Sequence, residues 1–165
     1  MIYLFIGLAM LFILGPILML RPTPRERRQA RIRQYALSHK VAVSPISLKR
    51  NEKFNRLLQR NPHIENHHWC AYKLVAEEDQ TGPSVKGEWL QRKTKEGTLV
   101  WEPVDVMQNT PPLVAQLLQQ WQDSQTEDFL QLELGPRQVV VVWNERGDID
   151  QVTVLCEQLK RLMTI

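Results

Sequence analysis

The sequence is poor in glycine and in catalytic motifs, and this scarcity argues against several classes of functional site. With seven glycines in 165 residues, it contains no Gly-rich loop of the kind that cradles phosphate groups in nucleotide-binding proteins. The nucleophile elbow GxSxG and the zinc-binding helix motif HExxH are also missing from the sequence. We therefore expect a non-enzymatic protein without a cofactor.

Cysteine is scarce as well. The two cysteines, Cys70 and Cys156, form no CxxC pattern, which argues against a zinc ribbon or a redox pair. In a reducing compartment both are expected to be free thiols. Cys156 lies in an apolar helical stripe and is predicted to belong to the core, since free cysteine is among the most buried residue types.

The first twenty residues carry no charged side chain. At a rise of about 1.5 Å per residue, a helix of this length crosses the roughly 30 Å hydrocarbon core of a bilayer. The segment starts without the positive n-region of a secretory signal peptide and leads directly into Arg21, so we expect it to be retained. The sequence therefore predicts a single transmembrane helix at residues 1–20.

A cluster of arginines follows this apolar segment. Lys and Arg are enriched on the cytoplasmic flank of membrane helices, and only the amino terminus lies on the other side here. This predicts a bacterial-type inner-membrane protein with its N-terminus outside and its C-terminal domain in the cytoplasm. The cluster is also expected to attract anionic lipid headgroups. The membrane-surface residues so predicted are Arg21, Arg25, Arg27, Arg28, Arg31 and Arg33.

The net charge of +3 conceals an asymmetry along the chain. Residues 1–61 contain 12 Lys and Arg against 2 Asp and Glu, a balance of +10, whereas residues 62–165 contain 9 against 16, a balance of −7. An acidic domain is a poor candidate for binding the phosphate backbone of nucleic acid. We expect no nucleic-acid partner. We expect the acidic part to bind a membrane protein partner.

Hydrophobic periodicity predicts an α+β fold behind a basic juxtamembrane helix at residues 21–40, which Thr23 can cap. In residues 41–165 it indicates an edge strand interrupted by Pro45, a short helix, three strands, a helix capped by Thr110, a hairpin and a C-terminal helix capped by Asp148. Residues 129–134 of the hairpin alternate like an edge strand, and 139–143 are continuously apolar like a buried one. We predict a two-layer domain in which amphipathic helices cover a mainly antiparallel sheet.

One cluster of potential metal ligands or catalytic groups occurs at the start of the first of the three strands, which is predicted over residues 67–77. It contains His63, His67, His68 and Cys70 within eight residues. On a strand, His68 and Cys70 share one face, at a spacing that zinc ligands use. A second ligand pair with tight spacing is missing from the sequence, so loop histidines and a half-buried strand are the preferred interpretation. A membrane-tethered metal-binding or enzymatic domain remains the alternative.

Two stretches suggest a wider resemblance. The junction LRPTPRERRQARIRQYALSHKVAV and the C-terminal VVVVWNERGDIDQVTVLCEQLKRL resemble small bacterial single-pass inner-membrane proteins. The resemblance implies the layout of an anchor, a basic helix and a cytoplasmic α+β domain, and no site residues. The leading functional hypothesis is a membrane-anchored accessory or scaffold protein whose domain binds a protein partner. A binder of anionic lipid surfaces is a further alternative.

Overall fold

The computed structural model describes Met10 and residues 22–50, 54–60, 64–65, 67–94, 96–105, 109–124 and 127–165. Its helices are α1 (Pro24–Ser38), α2 (Asn55–Arg60), α3 (Pro112–Asp123) and α4 (Ile149–Met163). Its strands are β1 (Val41–Ile46), β2 (Trp69–Val75), β3 (Gly87–Lys93), β4 (Leu99–Pro103), β5 (Phe129–Leu134) and β6 (Gln138–Trp143). A short 3-10 helix, Leu48–Arg50, follows β1. The predicted α+β class is confirmed.

The six strands form one antiparallel sheet in the order β1-β2-β6-β5-β3-β4. β1 lies at an edge, as its proline predicts, and the apolar β6 lies in the interior. The prediction of an edge-like β5 is wrong, because β5 pairs with both β6 and β3. Polar residues alternate with apolar ones in β5 for another reason. Gln131 donates from its Nε2 to the carboxylates of Glu88 and Glu133, each at 3.1 Å.

The main core lies between one face of the sheet and helices α1, α3 and α4. These helices contribute buried apolar residues at helical spacing, while β2, β5 and β6 contribute every second residue. Cys156 is buried as predicted, and both cysteines are free thiols. Ile149, the first residue of α4, is exposed.

A second, smaller apolar cluster covers the opposite face of the sheet. Trp69 and Ala71 alternate along β2 with the residues of the main core, so they point to the other side. Leu48, Phe54 and Leu57, from the segment between β1 and β2, pack against them. The predicted two layers are therefore joined by a partial third layer, which packs against residues of β2, β3, β5 and β6.

Helix starts follow the sequence signals in two of three cases. Thr23 and Glu26 form a reciprocal capping box at α1, and Asp148 accepts from the backbone N–H of Gln151 at α4. The Thr110 cap of α3 is wrong: the N-cap is Pro111, which makes no side-chain bond, and Thr110 Oγ1 accepts from Trp89 Nε1 at 3.1 Å. The Thr110 hydroxyl thus accepts a hydrogen bond from the side chain of Trp89 instead of from the backbone of α3.

α1 begins at Pro24, because Thr23 before it has an extended backbone (φ −61°, ψ 157°). The predicted transmembrane helix and Arg21 fall on residues 1–21, which lie outside the described part of the chain apart from Met10. Among the described residues, no helix combines the length and the hydropathy that a membrane crossing requires.

Candidate functional site

A fully buried carboxylate, that of Glu145, follows β6. Glu145 is 0% exposed and has a positive φ of 54°. A non-glycine residue in this left-handed region costs roughly 1 kcal/mol, so the surrounding contacts must hold it there. The neighbouring Asn144 side chain does part of this, since its Oδ1 accepts from the backbone N–H of Arg146 at 3.1 Å and its Nδ2 donates to Asp128 at 3.0 Å.

Arg33 of α1 binds this carboxylate with two parallel hydrogen bonds. Its Nε donates to Oε1 at 2.7 Å and its Nη2 to Oε2 at 2.5 Å. The Tyr72 hydroxyl donates to Oε1 at 3.1 Å, and Arg33 Nη2 also lies 3.4 Å from Cys70 Sγ. We call these four residues, Arg33, Cys70, Tyr72 and Glu145, the latch cluster. It joins α1 to β2 and to the loop after β6.

The electrostatics of the latch cluster favour the charged form of Arg33 and the protonated forms of Tyr72 and Cys70. The hydrogen bond that Arg33 donates to Glu145 raises the pKa of Arg33 above its ordinary value. Burial, and then the Glu145 charge, raises the pKa of the Tyr72 hydroxyl and raises that of the Cys70 thiol to about 11. Cys70 is therefore a buried, protonated thiol at neutral pH.

Sequence reasoning did not identify this cluster as a site. Arg33 was assigned to the membrane-facing arginines, Cys70 was considered only as a metal ligand or nucleophile, and Glu145 lies 112 residues from Arg33. One local signal was available: Glu145 is an acidic residue almost directly after a run of four valines and a tryptophan. An acid at the end of a fully apolar strand is a candidate for burial with a cationic partner.

The other predicted membrane-surface residues are placed differently from Arg33. Arg25, Arg27, Arg28 and Arg31 are exposed on α1, and Arg21 lies outside the described residues. The Arg33 side chain retains 40% of its exposure although it binds a carboxylate that is 0% exposed. One arginine of the basic helix thus binds the domain, while four others face solvent.

A cleft of about 670 Å³ separates the first half of α1 from the segment that leads from β1 to β2. α1 forms one wall with Arg25, Glu26, Gln29 and Arg33, and the opposite wall carries Lys49, Glu65, His67, His68, Trp69 and Cys70. Two of the acids have partners: Glu26 accepts from the Thr23 backbone N–H at 2.7 Å, and Glu65 pairs with Lys49. The cleft therefore combines satisfied carboxylates with exposed cationic groups.

The histidine and cysteine cluster is divided by the structure. His67 Nε2 lies 2.8 Å from Arg146 Nη2, which acts as the donor, and burial together with the Arg146 charge lowers the pKa of His67. Its Nδ1 is buried and has no partner among the described residues. His68 is exposed and precedes β2, so it does not share a strand face with Cys70.

Metal binding by this cluster therefore lacks geometric support. His63 lies outside the described residues. Within the part of the chain that the structure describes, no group of three or more His, Cys, Asp or Glu side chains is arranged to hold a metal ion.

The chain matches no protein-family model, no curated protein and no solved structure. The resemblance to small single-pass inner-membrane proteins thus stays a prediction from the two quoted stretches.

Proposed function

We propose that this chain is a non-enzymatic accessory or scaffold protein of a bacterial-type inner membrane, with residues 1–20 as anchor and the acidic α+β domain as the binding module for a membrane protein partner. The observation that carries the proposal is the attachment of α1. Its exposed arginines belong to a helix that the latch cluster fixes to the domain. Contact between these arginines and a bilayer surface orients the whole domain.

The proposed position of the chain at the membrane rests on its sequence. An uncharged stretch of twenty residues precedes the arginines, and a one-sided basic flank favours an N-terminus outside and a domain in the cytoplasm. Anchoring raises the local concentration of the domain near other membrane components, which promotes assembly without new chemistry.

The non-enzymatic part of the proposal is supported by how the chemically capable groups are used. The Glu145 carboxylate accepts three hydrogen bonds, from Arg33 and Tyr72, and the Cys70 thiol is buried with its pKa raised to about 11. Groups held in this way lock elements together, whereas a general base or nucleophile needs access to a substrate.

Extraction of native membranes tests the anchor and the partner together. We expect the full-length chain to resist alkaline carbonate and to purify in mild detergent with one protein at a fixed stoichiometry, identified by mass spectrometry. Release by carbonate would contradict the anchor. Purification without any stoichiometric protein would contradict the accessory role, as would turnover of a substrate by the purified chain.

Cysteine labelling tests the orientation, because Cys70 and Cys156 are both buried and give a low background. Glu157 is exposed on α4, so a Glu157→Cys variant presents one accessible thiol. We expect a membrane-impermeant maleimide to label this variant only after the inner membrane is permeabilised, with the wild-type chain as the matched control. Labelling of intact spheroplasts would place the domain outside.

A further inference from the structure

The cleft beside α1 presents two arginines from the same helix. Arg25 and Arg33 are eight residues apart, so about 12 Å of helix rise separates them along one wall. Lys49 and His68 lie on the opposite wall. We infer that this cleft binds the phosphate of one phospholipid headgroup, an inference that rests on the proposed position of the chain at a membrane surface.

Arg33 is a preorganised part of such a site. Glu145 engages its Nε and one N–H of Nη2, and Cys70 Sγ lies within reach of the second N–H of Nη2. No described residue takes the two donors of Nη1, and the side chain is 40% exposed. A guanidinium held in a fixed orientation loses less conformational entropy when it binds a phosphate oxygen.

Arg25 and Lys49 supply positive charges on side chains that can reorient toward a phosphate. Arg25 is exposed and makes no ion pair with a described residue. Lys49 pairs with Glu65, but their side chains are 70% and 36% exposed, and exposed pairs contribute little to stability because water screens them. The ammonium of Lys49 can therefore turn to an incoming phosphate at little cost. Glu26 stays engaged with the Thr23 backbone.

A lipid is the favoured source of the phosphate because of where the cleft lies and what else lines it. Thr23, which directly follows the basic junction after the apolar segment, is part of its lining. Ile46, Leu48 and Trp69 add an apolar wall against which a glycerol backbone can pack. The volume of about 670 Å³ falls in the range of roughly 300–1,000 Å³ that is typical of small-molecule sites.

The test compares two arginines of the same helix. Arg25 lines the cleft, whereas Arg27 is also exposed but is not part of the lining. The full-length chain in non-ionic detergent is titrated with phosphatidylglycerol, and retained lipid is counted by native mass spectrometry. We expect one lipid per wild-type chain, at least tenfold weaker binding for Arg25→Gln, and less than a twofold change for Arg27→Gln. Lys49→Gln should weaken binding severalfold.

Three outcomes would overturn the inference. Equal losses in Arg25→Gln and Arg27→Gln would indicate diffuse attraction to the helix, and no retained lipid would mean that the cleft is not a lipid site. Inorganic phosphate that displaces the lipid at equal concentration would assign the site to free phosphate. Because the titration is done in detergent, its result does not depend on whether residues 1–20 anchor the chain, which carbonate extraction decides separately.

Discussion

Two helices pack side by side on the same face of the sheet, and they are attached by different forces. α4 buries six residues in the main core: Val152, Leu155, Cys156, Leu159, Leu162 and Met163. α1 has the same length of 15 residues but buries only Ile32 and Ala36. In α1, the bidentate contact between Arg33 and Glu145 takes the place of the missing apolar contacts.

The difference matters because the two forces specify different things. Apolar burial is non-directional, at about 1.5–3 kcal/mol for each large side chain, and a helix attached in this way tolerates small rotations. A bidentate arginine fork requires one geometry, so it fixes both the rotation of α1 and its position along the sheet. The orientation of α1, the helix that follows the predicted anchor, is thus more strictly defined than that of α4.

The largest effect is expected when the arginine of the latch cluster is removed. Arg33→Ala leaves the Glu145 carboxylate buried without a cationic partner, which should cost about 3–5 kcal/mol of unfolding free energy. Amide hydrogen exchange should then become faster in α1 and less so in α4. Arg27→Ala, on the exposed side of the same helix, is the control and should change stability by no more than about 0.5 kcal/mol. Equal losses of stability in the two variants would contradict the claim that Arg33 attaches α1 to the domain.

A cavity in α4 should act globally rather than locally. Leu159 is 0% exposed in the main core, so Leu159→Ala should cost about 2–5 kcal/mol. Because the apolar contacts of α4 are shared with the sheet, exchange should accelerate in all helices together, as followed by the same amide measurement. A variant that released α4 alone, with the sheet still protected, would show that α4 is as separable as α1.

High pH should weaken the latch cluster more than the α4 interface. The folded chain keeps the Cys70 proton up to about pH 11, whereas the unfolded chain loses it near 8.5. Stability therefore falls as pH rises from about 8.5 to 11, by at most roughly 3 kcal/mol from this group. Urea unfolding at pH 7–10.5 should show a smaller fall in Cys70→Ala than in Cys156→Ala. Burial and the Glu145 charge both raise the pKa of Cys70, whereas burial raises the pKa of Cys156 and the Lys160 charge lowers it. The reverse order would contradict this assignment.

The smallest effect is expected at the start of α1. Thr23→Ala removes the capping hydroxyl that accepts from the Glu26 backbone N–H at 3.2 Å, at a typical cost of about 1 kcal/mol. Amide exchange should accelerate in the first turn only, because Arg33 and its contact with Glu145 lie two turns further along the helix. If the loss spread to the residues around Arg33, the cap and the latch cluster would form one cooperative unit.

Local patterns predicted the elements well because each element carries its own signal. The stripe from Val152 to Met163, the proline of β1 and the Asp148 cap are all encoded within a few residues, and the structure confirms them. The strand order could not be predicted in this way, because strand pairing depends on competition between segments that are distant in the sequence. The hairpin of β5 and β6 inserts between β2 and β3, since the most apolar strand is stabilised by a central position.

The latch cluster could not be predicted for the same reason. Nothing near Arg33 distinguishes it from the other arginines of its segment, because its partner is 112 residues away. Only the fold brings Arg33, Tyr72 and Glu145 within hydrogen-bonding distance. The basic composition of α1 correctly predicted a helix with an exposed charged face. The same composition gave no indication that one of its arginines, Arg33, binds a buried carboxylate.

A double-mutant cycle on Arg33 and Glu145 tests the central claim most directly. Unfolding free energies are measured for the wild type, Arg33→Ala, Glu145→Ala and the double variant. If the two side chains act as one contact, the double variant should be less destabilised than the summed single variants by about 2–3 kcal/mol. A coupling energy near zero would mean that the pair does not hold α1 to the domain.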